Sequence, residues 1–197
     1  MSRENWVDRQ KRYKEILNDV EQFLKQNFSS VSFDELITVL SMASGPLRGP
    51  YMEKWFVDNN FYSSKVSAKE GRGDLTNGIV FDELKVRFLK DKEIKKGKAH
   101  SAGQIRLWEN IDNYLFITVN LDKLDYSIFY IPKEIYKQLV LSNTVRFSSS
   151  HIKGNSSLLK ENPDMVNQLE ISSELNYKDY NWDSFKISLS VLKSKLI

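Results

Sequence analysis

Hydrophobic residues recur at helical spacing along the first part of the chain. They stand three or four positions apart at Tyr13, Ile16, Leu17, Val20, Phe23, Leu24 and Phe28. This spacing predicts a long amphipathic helix. Ser32 followed by Glu35 is typical of a capping box and predicts a second helix over 32–43. A Gly-Pro-Leu-Arg-Gly-Pro segment then interrupts the pattern, and Pro50 suits the first turn of a third helix over 51–60.

The middle of the chain changes to short apolar runs bounded by turn residues, which is the pattern of β-strands. Strands are predicted at 71–75, 78–89, 113–121 and 126–131, with turns at 76–78 and 122–125. Further helices are predicted at 100–111, 132–140 and 188–196. This order indicates an α/β fold in which helices cover both faces of a mixed central β-sheet.

The length of 197 residues suits a single domain with a substantial core. We divide it into a helical N-terminal segment (1–45), a central core (46–140) and C-terminal elements (141–197). No apolar run approaches the roughly 20 residues that span a bilayer, and the N-terminus has no apolar signal core. We therefore expect a cytoplasmic protein without a membrane partner.

Several kinds of chemistry are excluded by composition. The chain has no cysteine, so disulfides and thiolate zinc sites are impossible, and its two histidines argue against a histidine-based metal site. There is no P-loop or G-x-G-x-x-G motif, so we expect no nucleotide cofactor. The net charge of +3 favours an anionic partner only mildly. Five lysines lie within 90–98, where a solvent-facing loop is the simplest interpretation.

The strand predicted at 78–89 carries charges among its apolar residues, although burying a charge is costly unless it is paired or holds a metal. Glu83 and Lys85 are two residues apart, so they point to the same face of the strand. Asp74 would lie on the adjoining strand, and the hairpin can bring its carboxylate close to that of Glu83.

Two neighbouring carboxylates repel each other unless they share a proton or a cation. Oxygen ligands suit Mg²⁺ or Mn²⁺, which often bind substrate phosphates, and a nearby lysine can stabilise charge developing on phosphorus. The pattern therefore predicts a phosphodiester-cleaving site. A surface hairpin whose Glu83–Lys85 side faces water is the alternative, because the same tripeptide pattern recurs at Glu93-Ile-Lys95.

Asp74 followed by Glu83-Leu84-Lys85 resembles the signature of PD-(D/E)XK nucleases, particularly type II restriction endonucleases. Gly73 stands where the signature has its proline. The segment 103–135 resembles the helix–strand–strand block of these nucleases, and Gln104 with Trp108 is similar to the Q-x-x-x-Y helix of some members. The likeness covers about Leu47 to Gln138 and implies a restriction-endonuclease-like core.

The resemblance implies a Mg²⁺-dependent endonuclease that cuts double-stranded DNA at a specific sequence and leaves 5′-phosphate and 3′-hydroxyl ends. Asp74 and Glu83 would be the metal ligands, Mn²⁺ would substitute for Mg²⁺, and Lys85 would orient or activate the attacking water. Glu53 is a candidate auxiliary ligand, or an acid that only complements the dipole at the first turn of a helix. Cutting both strands of a symmetric site is simplest for a two-fold homodimer.

The loop at 148–157 is a candidate DNA-recognition element. His151, Lys153 and Asn155 can bond base edges or phosphates, although such residues also form ordinary loops. We also expect Arg48 to contact DNA. Two alternatives stay open: a structure-specific nuclease of the same superfamily, acting in repair, recombination or phage replication, and a non-catalytic DNA-binding domain on the same fold.

Overall fold

The computed structural model has helices at most of the segments where the sequence predicts them. The structure describes residues 3–67, 69–94, 102–106, 110–141, 145–147, 170–175 and 182–197. The helices are α1 (Arg3–Leu24), α2 (Phe33–Met42), α3 (Gly45–Asp58), α4 (Asp91–Glu93), α5 (Lys133–Leu141) and α6 (Leu189–Leu196), with 3₁₀ turns at Phe28–Ser30 and Trp182–Phe185. No helix among the described residues is long and apolar enough to cross a membrane.

Nine strands in the described residues form two sheets. They are β1 (Ser64–Lys65), β2 (Leu75–Thr76), β3 (Phe81–Leu89), β4 (Ala102–Arg106), β5 (Asn113–Asn120), β6 (Asp125–Pro132), β7 (Val145–Phe147), β8 (Glu170–Leu175) and β9 (Lys186–Ile187). The larger sheet has the order β1-β2-β3-β5-β6-β9 and the smaller one β4-β8-β7. In the larger sheet only β3 and β5 are parallel neighbours, so this sheet is mixed, as predicted.

Helices cover both faces of the larger sheet, because alternate residues of its central strands point to opposite sides. On one face, Leu115 and Ile117 of β5 join a buried core with α1, α2, α3 and α6. On the other face, Tyr114 and Phe116 pack against Tyr136 of α5, with ring centroids 4.8 and 5.7 Å apart. The predicted α/β architecture is therefore confirmed.

The capping box predicted for the second helix is present. Ser32 Oγ accepts a hydrogen bond from the Glu35 backbone N–H at 3.2 Å, and Glu35 Oε2 accepts one from the Ser32 N–H at 2.9 Å. Each side chain thus satisfies a backbone donor that the first turn of α2 leaves free.

The prediction that the third helix begins at Pro50 is wrong. Helix α3 begins at Gly45, with Ser44 in an extended conformation before it and Pro46 in its first turn. Pro50 lies inside the helix, where its ring removes a single backbone hydrogen bond and the packing of α3 outweighs that loss. Glu53 consequently lies in the third turn, beyond the reach of the dipole effect at the helix start, so that alternative for Glu53 is also wrong.

The helix predicted at 100–111 is wrong as well. Ala102–Arg106 forms strand β4, which pairs antiparallel with β8 more than 60 positions further along the chain. Pairing with a distant strand overrides the local preference of such a segment. Gln104 therefore lies on a strand, which removes its likeness to the Q-x-x-x-Y helix.

The C-terminal residues complete the larger sheet. Strand β9 pairs with β6 and forms one edge of the sheet, and the buried side chains of Leu192 and Leu196 on α6 belong to the main core. Ser188 caps α6 by accepting the Val191 N–H at 3.2 Å, which confirms the predicted final helix. The described part of 141–197 therefore includes structural elements of the central fold.

Candidate active site

Asp74 lies immediately before β2, at an irregularity in the pairing with β3. Its backbone N–H donates to the Asp82 carbonyl at 2.9 Å, although Asp82 is paired in register with Leu75. Two residues thus oppose one, as in a β-bulge. Asp74 Oδ2 accepts a hydrogen bond from the Leu84 N–H at 2.9 Å. The backbone of β3 therefore holds both the main chain and the carboxylate of Asp74.

The residue before Asp74 must be a glycine in this geometry. Gly73 has a φ of +80°, which other residues adopt only with strain. A Cβ built on Gly73 would lie 2.7 Å from the Asp82 carbonyl oxygen and 2.9 Å from its carbon. Proline holds φ near −65°, so the proline of the PD-(D/E)XK signature does not fit here.

Glu83 and Lys85 lie on one face of β3, as the two-residue spacing predicts. The Lys85 ammonium donates to Glu83 Oε1, and their side chains are only 16% and 10% exposed, respectively. The alternative of a hairpin side that faces water is therefore wrong. An ion pair with so little access to solvent needs a reason beyond solubility.

The electrostatics of Asp74 show that four charged side chains are gathered at this point. Burial raises the pKa of Asp74 to about 7, and the negative charges of Glu83 and Glu53 act in the same direction. The charge of Lys85 and the hydrogen bond from Leu84 act against them. The charges of Glu83, Lys85 and Glu53 thus all act on the Asp74 carboxyl, and the sequence predicts the closeness of Glu83 and Lys85 to it.

Glu53 reaches this cluster from α3, and it is already paired. Its Oε2 lies 2.6 Å from the Nζ of Lys65, the last residue of β1. The side chain of Glu53 is 17% exposed, whereas that of Lys65 is 45% exposed. No feature of the sequence pattern singles out Lys65, because β1 is only two residues long and its contact with α3 is tertiary.

A buried carboxylate, that of Asp82, lies on the face of β3 opposite to Glu83 and Lys85. Asp82 is fully buried and accepts hydrogen bonds from Tyr62 Oη at 2.6 Å, from Asn113 Nδ2 at 2.8 Å and from the Tyr130 hydroxyl. Burial raises the pKa of Asp82 to about 6, and these three hydrogen bonds oppose the rise. The network ties β3 to β5, β6 and the segment after α3. The signal in the sequence was an acid on the apolar face of a predicted strand.

The donor set suits a hard divalent cation. Asp74 Oδ1 accepts no hydrogen bond from the described residues, and Glu83 lies beside it. Within the described part of the chain no three acidic, histidine or cysteine side chains form a metal-binding group. Mg²⁺ usually keeps several waters and needs only one or two protein carboxylates. A divalent cation would also relieve the repulsion that raises the pKa of Asp74.

The remaining predicted residues lie elsewhere. The Nε of Arg48 donates to the carbonyls of Leu40 and Ala43 at 3.1 and 3.2 Å, and the guanidinium lies 4.3 Å from the centre of the Phe88 ring. Arg48 thus satisfies carbonyls at the end of α2, and its contact with DNA stays a prediction. The recognition residues His151, Lys153 and Asn155 lie outside the described residues, and their role also stays a prediction.

The two raised carboxyl pKa values predict a pH dependence of stability. Above about pH 4 the folded chain holds protons that the unfolded chain has released, on Asp82 up to about pH 6 and on Asp74 up to about pH 7. The free energy of unfolding of the metal-free protein therefore falls as the pH rises through this range. We expect a shallower fall for Asp74→Asn, measured by urea denaturation in EDTA. Equal slopes in the parent and the variant would contradict the raised pKa of Asp74.

A scan against protein-family models gives no match to this chain, and a search of curated proteins gives no significant match. The functional interpretation therefore rests on the arrangement of Asp74, Glu83 and Lys85 and on the chemistry that such a group supports.

Proposed function

We propose that this protein is a Mg²⁺-dependent DNA endonuclease of the PD-(D/E)XK type, acting as a type II restriction enzyme. The observation that carries the proposal is the convergence of Asp74, Glu83 and Lys85 at the β2–β3 hairpin, where the pKa of the Asp74 carboxyl is raised to about 7. A group of carboxylates with a partly buried lysine is costly to assemble and suits a divalent cation and a phosphodiester.

The fold is compatible with a restriction-endonuclease-like core. The hairpin that carries the acids leads into β3, which is parallel to β5, and helices pack on both faces of this mixed sheet. Asp74 and Glu83 lie beside the two short strands, β1 and β2, that form one edge of this sheet.

Asp74 and Glu83 would hold Mg²⁺, and Mn²⁺ would substitute for it. When bound, the ion would offset negative charge on the phosphodiester oxygens and make water a better nucleophile. Lys85 is held beside Glu83, where its ammonium can orient the attacking water and stabilise charge developing on phosphorus. Water adds to phosphorus, the bond to the 3′ oxygen breaks, and that oxygen takes up a proton as it leaves.

Double-stranded DNA is the proposed substrate, and a two-fold homodimer would place one such site on each strand of a palindrome. We expect the protein component to have about twice the 23.0 kDa mass of the chain, in solution or on cognate DNA.

Digestion of plasmid and linear DNA tests the proposal directly. With Mg²⁺ or Mn²⁺ we expect discrete fragments whose sequenced ends carry 5′-phosphate and 3′-hydroxyl groups, and no cutting in EDTA. A smear or resection from the ends would favour the structure-specific nuclease. DNA binding without cleavage in either metal would favour the non-catalytic domain, and the absence of both would overturn a DNA function.

A further inference from the structure

A second lysine–carboxylate pair lies beside the proposed site. Lys65 Nζ contacts Glu53 Oε2 at 2.6 Å and lies 3.5 Å from the carbonyl of Pro50. Lys65 is paired in register with Leu75, and the N–H of the next residue, Val66, donates to the Asp74 carbonyl at 2.8 Å. The backbone of Lys65 therefore runs directly beside that of Asp74.

The glutamates of the two pairs act on the same carboxyl, that of Asp74. Glu83, paired with Lys85, and Glu53, paired with Lys65, both raise the pKa of Asp74. The pairs differ in their access to solvent, because the Lys85 side chain is 16% exposed and that of Lys65 is 45% exposed. Of these two lysines, Lys65 is the one that can leave its carboxylate and turn outward without losing a buried position.

A divalent cation at Asp74 and Glu83 would weaken the ion pair between Lys65 and Glu53. It would attract the Glu53 carboxylate, whose charge acts on Asp74, and would repel the Lys65 ammonium that this carboxylate holds. The ammonium would then need another anion, and the phosphate backbone of the substrate is the anion that the proposed function brings to this place.

We propose that Lys65 is a phosphate-binding residue controlled by the metal. Without the cation it neutralises Glu53, and with the cation it exchanges Glu53 for a phosphate of the DNA strand next to the cleaved bond. This assignment rests on the proposed nuclease function. A purely structural pair would instead only join β1 to α3, and an exposed ion pair of that kind contributes little to stability.

The charge-neutral variant Lys65→Gln has opposite expected effects on the two ligands. Without DNA, calorimetry should show Mg²⁺ binding roughly two- to fivefold tighter, because Glu53 has lost its competitor. DNA binding should weaken for every sequence, and the slope of log K against log salt should flatten by about 0.9, the value of one phosphate contact. A structural role would not tighten metal binding while weakening DNA binding.

Lys123→Gln is the matched control. Lys123 is 60% exposed and pairs with Asp91 at 3.6 Å, beyond the opposite end of β3 from Asp74. The control removes the same charge from the same kind of pair, so its Mg²⁺ affinity should equal that of the parent. Lys65→Arg keeps the charge and should keep both binding constants close to those of the parent.

The coupling to Glu53 is tested with a double variant. Glu53→Gln alone should weaken Mg²⁺ binding, and adding Lys65→Gln to it should give no further tightening, because Lys65 acts through Glu53. If Lys65→Gln has the same Mg²⁺ affinity and salt slope as the parent, the inference about Lys65 is overturned. Cleavage of DNA by the parent protein would still support the proposed nuclease function in that case. A parent protein that bound no Mg²⁺ would overturn the proposed function, and the inference with it.

Discussion

The Glu83→Gln variant should lose at least about a thousandfold in DNA cleavage rate, the scale expected when a preorganised charge is removed from a reacting centre. The substitution keeps the shape of the side chain and removes the negative charge that would help to hold the cation. It also removes the charged partner of Lys85 and one of the charges that raise the pKa of Asp74. Initial rates on a plasmid carrying the cognate site, at saturating Mg²⁺, measure the effect.

Glu93→Gln is the matched control for this experiment. Glu93 begins the second acid-x-lysine tripeptide of the chain, and its Oε2 accepts the Lys90 N–H at 3.0 Å, away from Asp74. The control should cut like the parent. Asp74→Asn should resemble Glu83→Gln in its loss of cleavage. The fold of both is checked by circular dichroism, because Glu83→Gln leaves the poorly exposed Lys85 ammonium without its partner and lowers stability. Near-parental cutting by folded Glu83→Gln would contradict the assignment of the site.

The Gly73→Ala variant should lose both stability and cleavage. A left-handed φ costs a side-chain-bearing residue about 1–2 kcal/mol. The new methyl group would also lie 2.7 Å from the Asp82 carbonyl oxygen, and relief of such overpacking costs about 1–3 kcal/mol more. The backbone shift that relieves the contact moves Asp74, so cleavage should fall by more than the lost stability explains.

The Gly78→Ala variant separates the conformational cost of a positive φ from the cost of the steric contact. Gly78 also has a positive φ, +93°, but a Cβ there meets nothing within 4 Å. It should show the conformational cost alone, with normal cleavage under conditions where the protein is folded. Gly73→Pro, which restores the proline of the signature, should inactivate the protein because proline cannot reach φ of +80°. Normal cleavage by either Gly73 variant would contradict the geometry proposed for the bulge.

Much of the site was predictable because it is local in the chain. Asp74 and Glu83 are nine positions apart with a turn between them, so a hairpin alone brings them close. The common face of Glu83 and Lys85 follows from the two-residue period of a strand. The helices α2 and α6 likewise carry their capping residues next to their own apolar pattern.

The wrong predictions concern segments whose structure depends on distant partners. Ala102–Arg106 is a strand because β8 pairs with it, and α3 extends back through Pro50 because its packing tolerates one missing hydrogen bond. Neither the strand that pairs with 102–106 nor the packing of α3 can be read from the residues of these segments.

By itself, then, the sequence determined the α/β pattern and the meeting of Asp74, Glu83 and Lys85, since these follow from backbone period and chain proximity. Only the tertiary structure decided what surrounds them: the buried hydrogen bonds of Asp82, the pairing of Glu53 with Lys65, and the burial that raises the pKa of Asp74. The physical reason is that burial and charge–charge distance depend on contacts between segments far apart in the chain, which a local pattern does not encode.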